Sequence, residues 1–461
     1  MYCLLLPINT SVIAINYGNW MSTKGWPVQY PDYKGSGTSW LADVPAHWST
    51  RRLGYFFNER REKVSDKDFP PLSVTKHGIV SQLETAAKTD DGDNRKKVVA
   101  GDFVINSRSD RKGSSGVAPQ DGSVSLINTV LRPVADIEGR FIHHLLRSLP
   151  FQEEFYRFGK GIVADLWSTN YSEMRNIVLA IPEIGEQRLI AVFLDRETAK
   201  IDALIAEQEK LIALLAEKRQ ATISHAVTKG LNPNAPMKDS GVAWLGEVPS
   251  YWRVARLKFI ASVQTGIAKG KDVSGKEVIS VPYLRVANVQ DGYLALDEMA
   301  VIEIEPEQLT RYRLQKGDVL MNERGDFDKL GRGAVWGGEI DVCIHQNHVF
   351  AVRPHAVGAS WLNRITSSDY AQFYFMGRAK QTTNLASISS TNIMELPVVL
   401  PPENEQASIL ASVDSMLADI DLLSARADSA IALLKERRSA LIAAAVTGQI
   451  DVRSKIENIV I

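Results

Sequence analysis

WLADVPAHW at residues 40–48 returns as WLGEVPSYW at residues 244–252, a displacement of 204. Lys34, Ser36 and Gly37 recur at the same step as Lys238, Ser240 and Gly241. A second block follows: Pro182, Glu183, Glu186 and Gln187 are echoed by Pro402, Glu403, Glu405 and Gln406. From Glu186 onward the step is a constant 219, pairing Asp195 with Asp414, Ile201–Asp202 with Ile420–Asp421, and Ala226–Val227–Thr228 with Ala445–Val446–Thr447. Three ordered blocks of this kind are an internal duplication. Two copies of one module lie in tandem, alike at their ends and divergent inside.

Each copy closes on a long helix. From Glu186 to Lys229 the chain has no Gly or Pro, and GLNPNAP then stops the pattern. Apolar residues fall at Ile190, Leu194, Ile201, Leu204, Leu211 and Leu215 in steps that approximate a heptad. The second copy places Ile409, Val413, Met416, Ile420, Leu423 and Leu434 at the matching positions, ending at Gly448. A helix of this length reaches about 65 Å at 1.5 Å per residue, more than one small domain covers. Two equal helices from one chain, with a domain between them, pack most simply as an antiparallel coiled coil.

The segments between, roughly 39–180 and 244–400, contain short β-type runs broken by polar turns, including Lys97–Ile105, Val124–Val130, Val278–Val289, Asp318–Met321 and Val342–Val352. With a small helix such as Ile142–Leu149, they read as mixed α/β domains. The whole chain of 461 residues has net charge -1, 45% apolar and 23% charged residues. These values exclude a disordered acidic tail and a histone-like polycation. Cys3 and Cys343 cannot form a disulfide framework and suit a reducing cytoplasm. The apolar start, MYCLLLPINTSVIAI, has no basic flank and is too short to span a bilayer. Residues 1–20 are therefore expected to be an extension ahead of a natural start at Met21, and no membrane segment is expected.

Sites for chemistry are sparse. No G-x-G-x-x-G follows a strand, and neither a phosphate-binding G-x-x-x-x-G-K-[ST] nor H-E-x-x-H occurs. His143 and His144 are adjacent and point apart on a helix. Cys343, His345 and His348 lack a fourth ligand. The repeated polar feature is Gly101–Asp102 with Asn106 and Arg108, matched at a step of 216 by Gly317–Asp318 with Asn322 and Arg324. The surrounding loops, SRSDRKGSSG (107–116) and ERGDFDKLGRG (323–333), add Arg111, Lys112, Lys329 and Arg332. Arginine forks and loop N–H groups at a strand end suit phosphate and base edges. A turn-holding role for the repeated Asn and Arg is the alternative. Local charge permits a basic stripe: 19 basic against 16 acidic residues over 49–165, and 17 against 15 over 253–385.

The chain resembles the specificity subunits of type I restriction–modification enzymes. The resemblance lies in the paired WLADVPAHW and WLGEVPSYW, in IPEIGEQRLIAVFLDRETAKIDALI (181–205) with LPPENEQASILASVDSMLADIDLL (400–423), and in the helix ends EKRQATISHAVTKG (217–230) and ERRSALIAAAVTGQI (436–450). It covers nearly all of 34–461. It implies a first target-recognition domain with its linker over 21–185 and a spacer helix over 186–229. A linker over 230–243 leads to a second recognition domain over 244–404, a second spacer over 405–447 and a tail over 448–461. It further implies a non-catalytic reader of double-stranded DNA with a bipartite, asymmetric target. Two modification subunits would bring S-adenosylmethionine and methylate adenine. Restriction subunits would bring ATP and Mg2+, and this chain would hold no cofactor. A stand-alone bipartite DNA-binding regulator is the other reading; it would shift DNA without any partner.

Overall fold

Two helices, Ile184–Lys229 and Glu403–Val446, organise the structure. Each starts two residues before the expected position. The first-turn amides of a helix have no intrahelical acceptor, so Gly185 is tolerated there. The computed structural model describes residues 28–83, 92–161, 167–269, 275–327, 330–381 and 386–455. The expected extension over 1–20, and Lys329, lie outside the described residues. The chain forms two units, one of residues up to Glu207 together with Ala430–Ile461, the other Gln208–Ser429. Each unit thus holds one end of both helices.

The helices run antiparallel. In the first unit Arg438 Nε lies 2.8 Å from Asp202 Oδ1, and in the second Arg219 Nη1 lies 2.6 Å from Asp421 Oδ1. Advancing 17 residues on the first helix moves the partner back 17 on the second. Leu194, Ile201, Leu215, Val413 and Ile420 are buried. Leu434 is half-buried against the first unit's core. The expected seam is wider than the observed one. Leu204, Leu211, Met416 and Leu423 are 52%, 41%, 38% and 46% exposed. One helix covers only part of another's circumference, and these residues lie outside the cores that the two globular domains complete. Those cores absorb the helix ends: Ile190, Leu194 and Ile201 pack with Phe141, Phe151, Leu441 and Val446 in one unit. Ile223, Val227, Ile409 and Val413 pack with Trp361 and Phe375 in the other.

The repeated tryptophan motif explains itself at the helix ends. Trp48 Nε1 donates to Glu186 Oε1 at 3.1 Å, and Tyr30 O–H donates to the same oxygen at 2.7 Å. In the second unit Trp252 Nε1 and Tyr251 O–H donate to the two oxygens of Glu405, at 3.1 and 2.9 Å. A carboxylate in the first turn of a helix also meets the positive end of its dipole. The same two tryptophans receive the other helix's end. Gly448 (φ 75°) and Gly230 (φ 74°) end their helices in the left-handed conformation. A Cβ on Gly448 would fall 2.3 Å from Pro45 Cδ, and one on Gly230 would fall 3.1 Å from Trp252 Cζ2. Past Gly448 the chain packs on the residues ahead of the first tryptophan motif: Asp451 N–H donates to Val28 O at 2.7 Å, and Arg453 lies 5.0 Å from the Tyr30 ring centroid.

Each globular domain carries its own four-stranded sheet, and the two sheets have the same strand order. In the first, antiparallel strands run Ser115–Val117, Phe103–Asn106, Asn128–Pro133, Phe57–Glu59. The second repeats the order as Gly333–Val335, Val319–Asn322, Val349–Pro354, Ala261–Thr265. The entrance strand Ser49–Arg52 pairs with the exit strand Val178–Ile181, and Arg253–Arg256 pairs with Pro397–Leu400. Each domain therefore leaves beside the point where it enters, and its exit runs straight into a long helix. Two runs read as single strands are divided. Val278–Val289 is a strand to Leu284 followed by a one-turn helix, and Val342–Val352 is two strands separated at Gln346–His348. The helix expected over 142–149 ends at Leu145. Ser148 then caps the next helix, accepting from Phe151 N–H.

Candidate nucleic-acid interface

The repeated Gly–Asp is a turn. Asp102 is almost fully buried; its carboxylate accepts from Val99 N–H at 2.9 Å and from Arg60 through Nε and Nη2 at 2.7 and 3.1 Å. Asp318 repeats this with Gln315 N–H at 2.8 Å and Arg353 at 2.7 and 2.8 Å. The guanidinium comes from a different strand in each domain, so the pair is legible only in three dimensions. The paired carboxylate holds both arginines above their ordinary value.

The loop beyond holds the candidate contacts. Asn106 is buried, and its Oδ1 accepts Arg108 N–H at 3.1 Å, so it shapes the turn. Asn322 Nδ2 donates to Val289 O at 2.9 Å and does the same for the second domain. Arg332 is drawn in by Asp291 at 3.2 Å, its side chain 27% exposed. The outward residues are Arg108, Arg111, Lys112 and Arg324. Arg108 and Arg111 approach Asp110 only to 3.9 and 3.6 Å, and the Lys112 ammonium lies 5.2 Å from the Tyr156 ring centroid. Arg111 is 68% exposed. An exposed arginine over a loop keeps its donors for an anion.

The histidines are occupied elsewhere. His144 Nε2 lies 2.8 Å from Asp195 Oδ1, and Arg140 reaches Asp195 Oδ2 at 3.2 Å. Asp414, the counterpart of Asp195, binds Arg364 at 2.6 Å. In each unit, then, the repeated aspartate of the long helix pins a domain helix. His345 is buried with Nδ1 2.8 Å from Val349 O, and His348 Nδ1 meets Glu323 at 2.7 Å. Burial pushes the Cys343 thiol up to about 12. Among the described residues no three His, Cys, Asp or Glu side chains converge as metal ligands.

Buried imidazoles make stability depend on pH. Burial, reinforced by Arg147, pushes His143 down to about 4, and burial also lowers His345. Below the unfolded value of about 6.5 the unfolded chain takes the proton first. Stability is thus fully present above that pH and declines as pH falls toward 4. The urea midpoint is expected to drop between pH 7 and 5, and less so in His143→Phe. Equal slopes for the two proteins would remove His143 from this account.

The paired helices and the two like domains match known proteins. The chain is 25% identical over 380 residues to the type I restriction enzyme EcoKI specificity subunit of Escherichia coli K12, covering 78% of this chain and 77% of that protein. It is 24% identical over 374 residues to the StySPI specificity subunit of Salmonella potsdam, with the same coverage. Over more than three quarters of its length the chain is similar to type I specificity subunits. No family model matches it. A solved structure described as the structural basis of complex assembly and conformational transition of the type I R-M system superposes with a TM-score of 0.59 at 19% identity. It covers 87% of this chain and 98% of that one. The HsdS subunit of Thermoanaerobacter tengcongensis gives 0.50 at 18% identity, with 88% and 98% covered. These two likenesses concern the fold. The tryptophan–glutamate junctions are what sequence reading found as motifs without finding their use.

Proposed function

We propose that this specificity subunit reads the two halves of an asymmetric, bipartite DNA target, one with each recognition domain, and directs partner subunits to methylate adenine there. The observation that carries this reading is the pairing of two like sheets bearing unlike, arginine-bearing loops with two antiparallel helices of nearly equal length. Two unlike readers on a near-symmetric scaffold imply two unlike half-sites at a fixed separation. Arg108, Arg111 and Lys112 serve one half and Arg324 the other, with Asn106 and Asn322 holding the loops that carry them.

The helix pair serves as spacer and as docking surface. Leu204 and Leu214 are 52% and 51% exposed, and Leu423 and Leu433, each 219 residues on, are 46% and 65% exposed. Two equivalent sets of exposed leucines suit two copies of one modification subunit. Those subunits supply S-adenosylmethionine, and restriction subunits supply ATP and Mg2+. The chain contributes binding and geometry but no catalysis. Among the described residues no helix is long and apolar enough to cross a membrane, which agrees with work on DNA in the cytoplasm.

Co-expression with the modification subunit encoded beside it, followed by adenine-methylation mapping, tests the proposal. A stable complex and methylation at one split, asymmetric sequence are expected. A chain that binds DNA alone and leaves the methylome unchanged with its partner present is a regulator instead.

A further inference from the structure

Beside each candidate loop runs a short row of side chains that the duplication hides. In the first unit Arg108 stands opposite Ser168, and Ser168 stands opposite Lys160. In the second, Arg324 pairs with Ser387 and Ser387 with Lys380, antiparallel on both sides. The backbone bonds match as well: Thr169 N–H donates to Ser107 O at 2.9 Å, and Ile388 N–H donates to Glu323 O at 3.0 Å. Ser168 and Lys160 exchange both bonds at 3.1 Å. Buried Thr169 and Ile388 anchor the row from behind. Directly opposed residues share one face of a sheet. Each unit therefore presents Arg, Ser and Lys abreast, with the cations about 10 Å apart across two strand spacings. The steps between copies are 216 for Arg, 219 for Ser and 220 for Lys. No single offset along the chain aligns all three.

We infer that this row grips the DNA backbone, with Lys160 and Ser168 in one domain, and Lys380 and Ser387 in the other, binding phosphates beside Arg108 and Arg324. The inference rests on the DNA-reading role proposed above. Arg324 and Lys380 are exposed, and neither has a carboxylate partner among the described residues. Two bare cations abreast repel each other and give the fold nothing, whereas a polyanion across them removes the repulsion. The serine hydroxyl between them is a phosphate donor of the ordinary kind. Lysine acts on phosphate as a point charge, without the fork that reads a base. In the first unit the row is masked. Lys160 lies 2.7 Å from Glu173, with its own side chain 77% exposed. An exposed pair of this kind is weak and screened by salt, so phosphate can displace the carboxylate.

The test uses the full chain assembled with its modification subunits, a duplex carrying the methylated target and a shuffled duplex, with affinity measured across a salt series. Lys380→Gln is expected to weaken both duplexes alike and to lower the salt slope by about 0.9, the value for one phosphate contact on B-DNA. Lys160→Gln does the same to a smaller degree. Glu173→Gln strengthens binding, and does so only while Lys160 is present. Melting temperature stays unchanged in the two lysine variants, whose side chains are at the surface. Unchanged affinity and slope in Lys380→Gln, with the wild-type complex binding its target, overturns the phosphate row. A wild-type complex that shows no preference for the target over the shuffled duplex overturns the DNA-reading role itself.

Discussion

A chain carrying Ile201→Asp and Ile420→Asp is expected to lose its cooperative unfolding transition near the wild-type temperature and to fall out of complex with its modification subunits. The two isoleucines are equivalent, 219 residues apart, and are 6% and 5% exposed in the cores of the first and second units. Burying an isoleucine side chain contributes about 1.5–3 kcal/mol, and the aspartate that replaces it is a charge without a partner. Each unit therefore loses at least about 1.5–3 kcal/mol from a domain stability of about 5–15 kcal/mol. Leu204→Asp with Leu423→Asp is the matched control, because both leucines are about half exposed. Its expected change in stability is within about 0.5 kcal/mol, while its retention of modification subunits falls. Thermal melts and co-purification separate the two effects. A seam variant that melts with the wild type, or a control that melts as low as the seam variant, would show that burial along the helices does not divide fold from docking as argued here.

That contrast also marks where sequence reading ends. The heptad-like spacing located both helices to within two residues, since Gly- and Pro-free length and a constant step of 219 are properties of one dimension. It could not separate Ile201 from Leu204. Both occupy the same stripe, and only the domain packed over the helix decides which is covered. The same limit applies to the recognition domains. Gly101–Asp102 and Gly317–Asp318 were visible as a repeat, but the arginine that neutralises each aspartate comes from the strand end at Arg60 in one domain and from the strand carrying Arg353 in the other. The repeated Asn106 and Asn322 each sit beside an arginine, but buried Asn106 accepts Arg108 N–H whereas half-buried Asn322 donates to Val289 O, a difference the repeat conceals. The tryptophan motifs were the firmest signal in the chain, and their purpose needed the helix ends. Trp48 meets Glu186 of one helix and Gly448 of the other, residues distant in sequence and adjacent in space.

Lengthening both helices by four residues is expected to yield an active enzyme that keeps both half-sites and reads a longer gap between them. Within each unit the helices are registered by an ion pair, Asp202 with Arg438 in the first and Arg219 with Asp421 in the second. Insertion after Ala206, matched by insertion between Leu433 and Leu434, lies between these pairs on both helices and leaves each one intact. Four residues add about 6 Å and turn a helix by about 400°, so the apolar stripe returns close to its original direction. At 3.4 Å per base pair, 6 Å corresponds to roughly two base pairs. Neither recognition domain is altered, and the bases read in each half are therefore unchanged. Two residues inserted at the same points turn each stripe by about 200°, carrying Ile201 and Leu215 to opposite sides of their helix and breaking the seam. That variant is expected to be inactive. Methylation mapping of cells carrying each variant reads the gap directly. An active four-residue variant with the original gap would mean that the recognition domains take their separation from the modification subunits, and that the helix pair fixes only the connection between them.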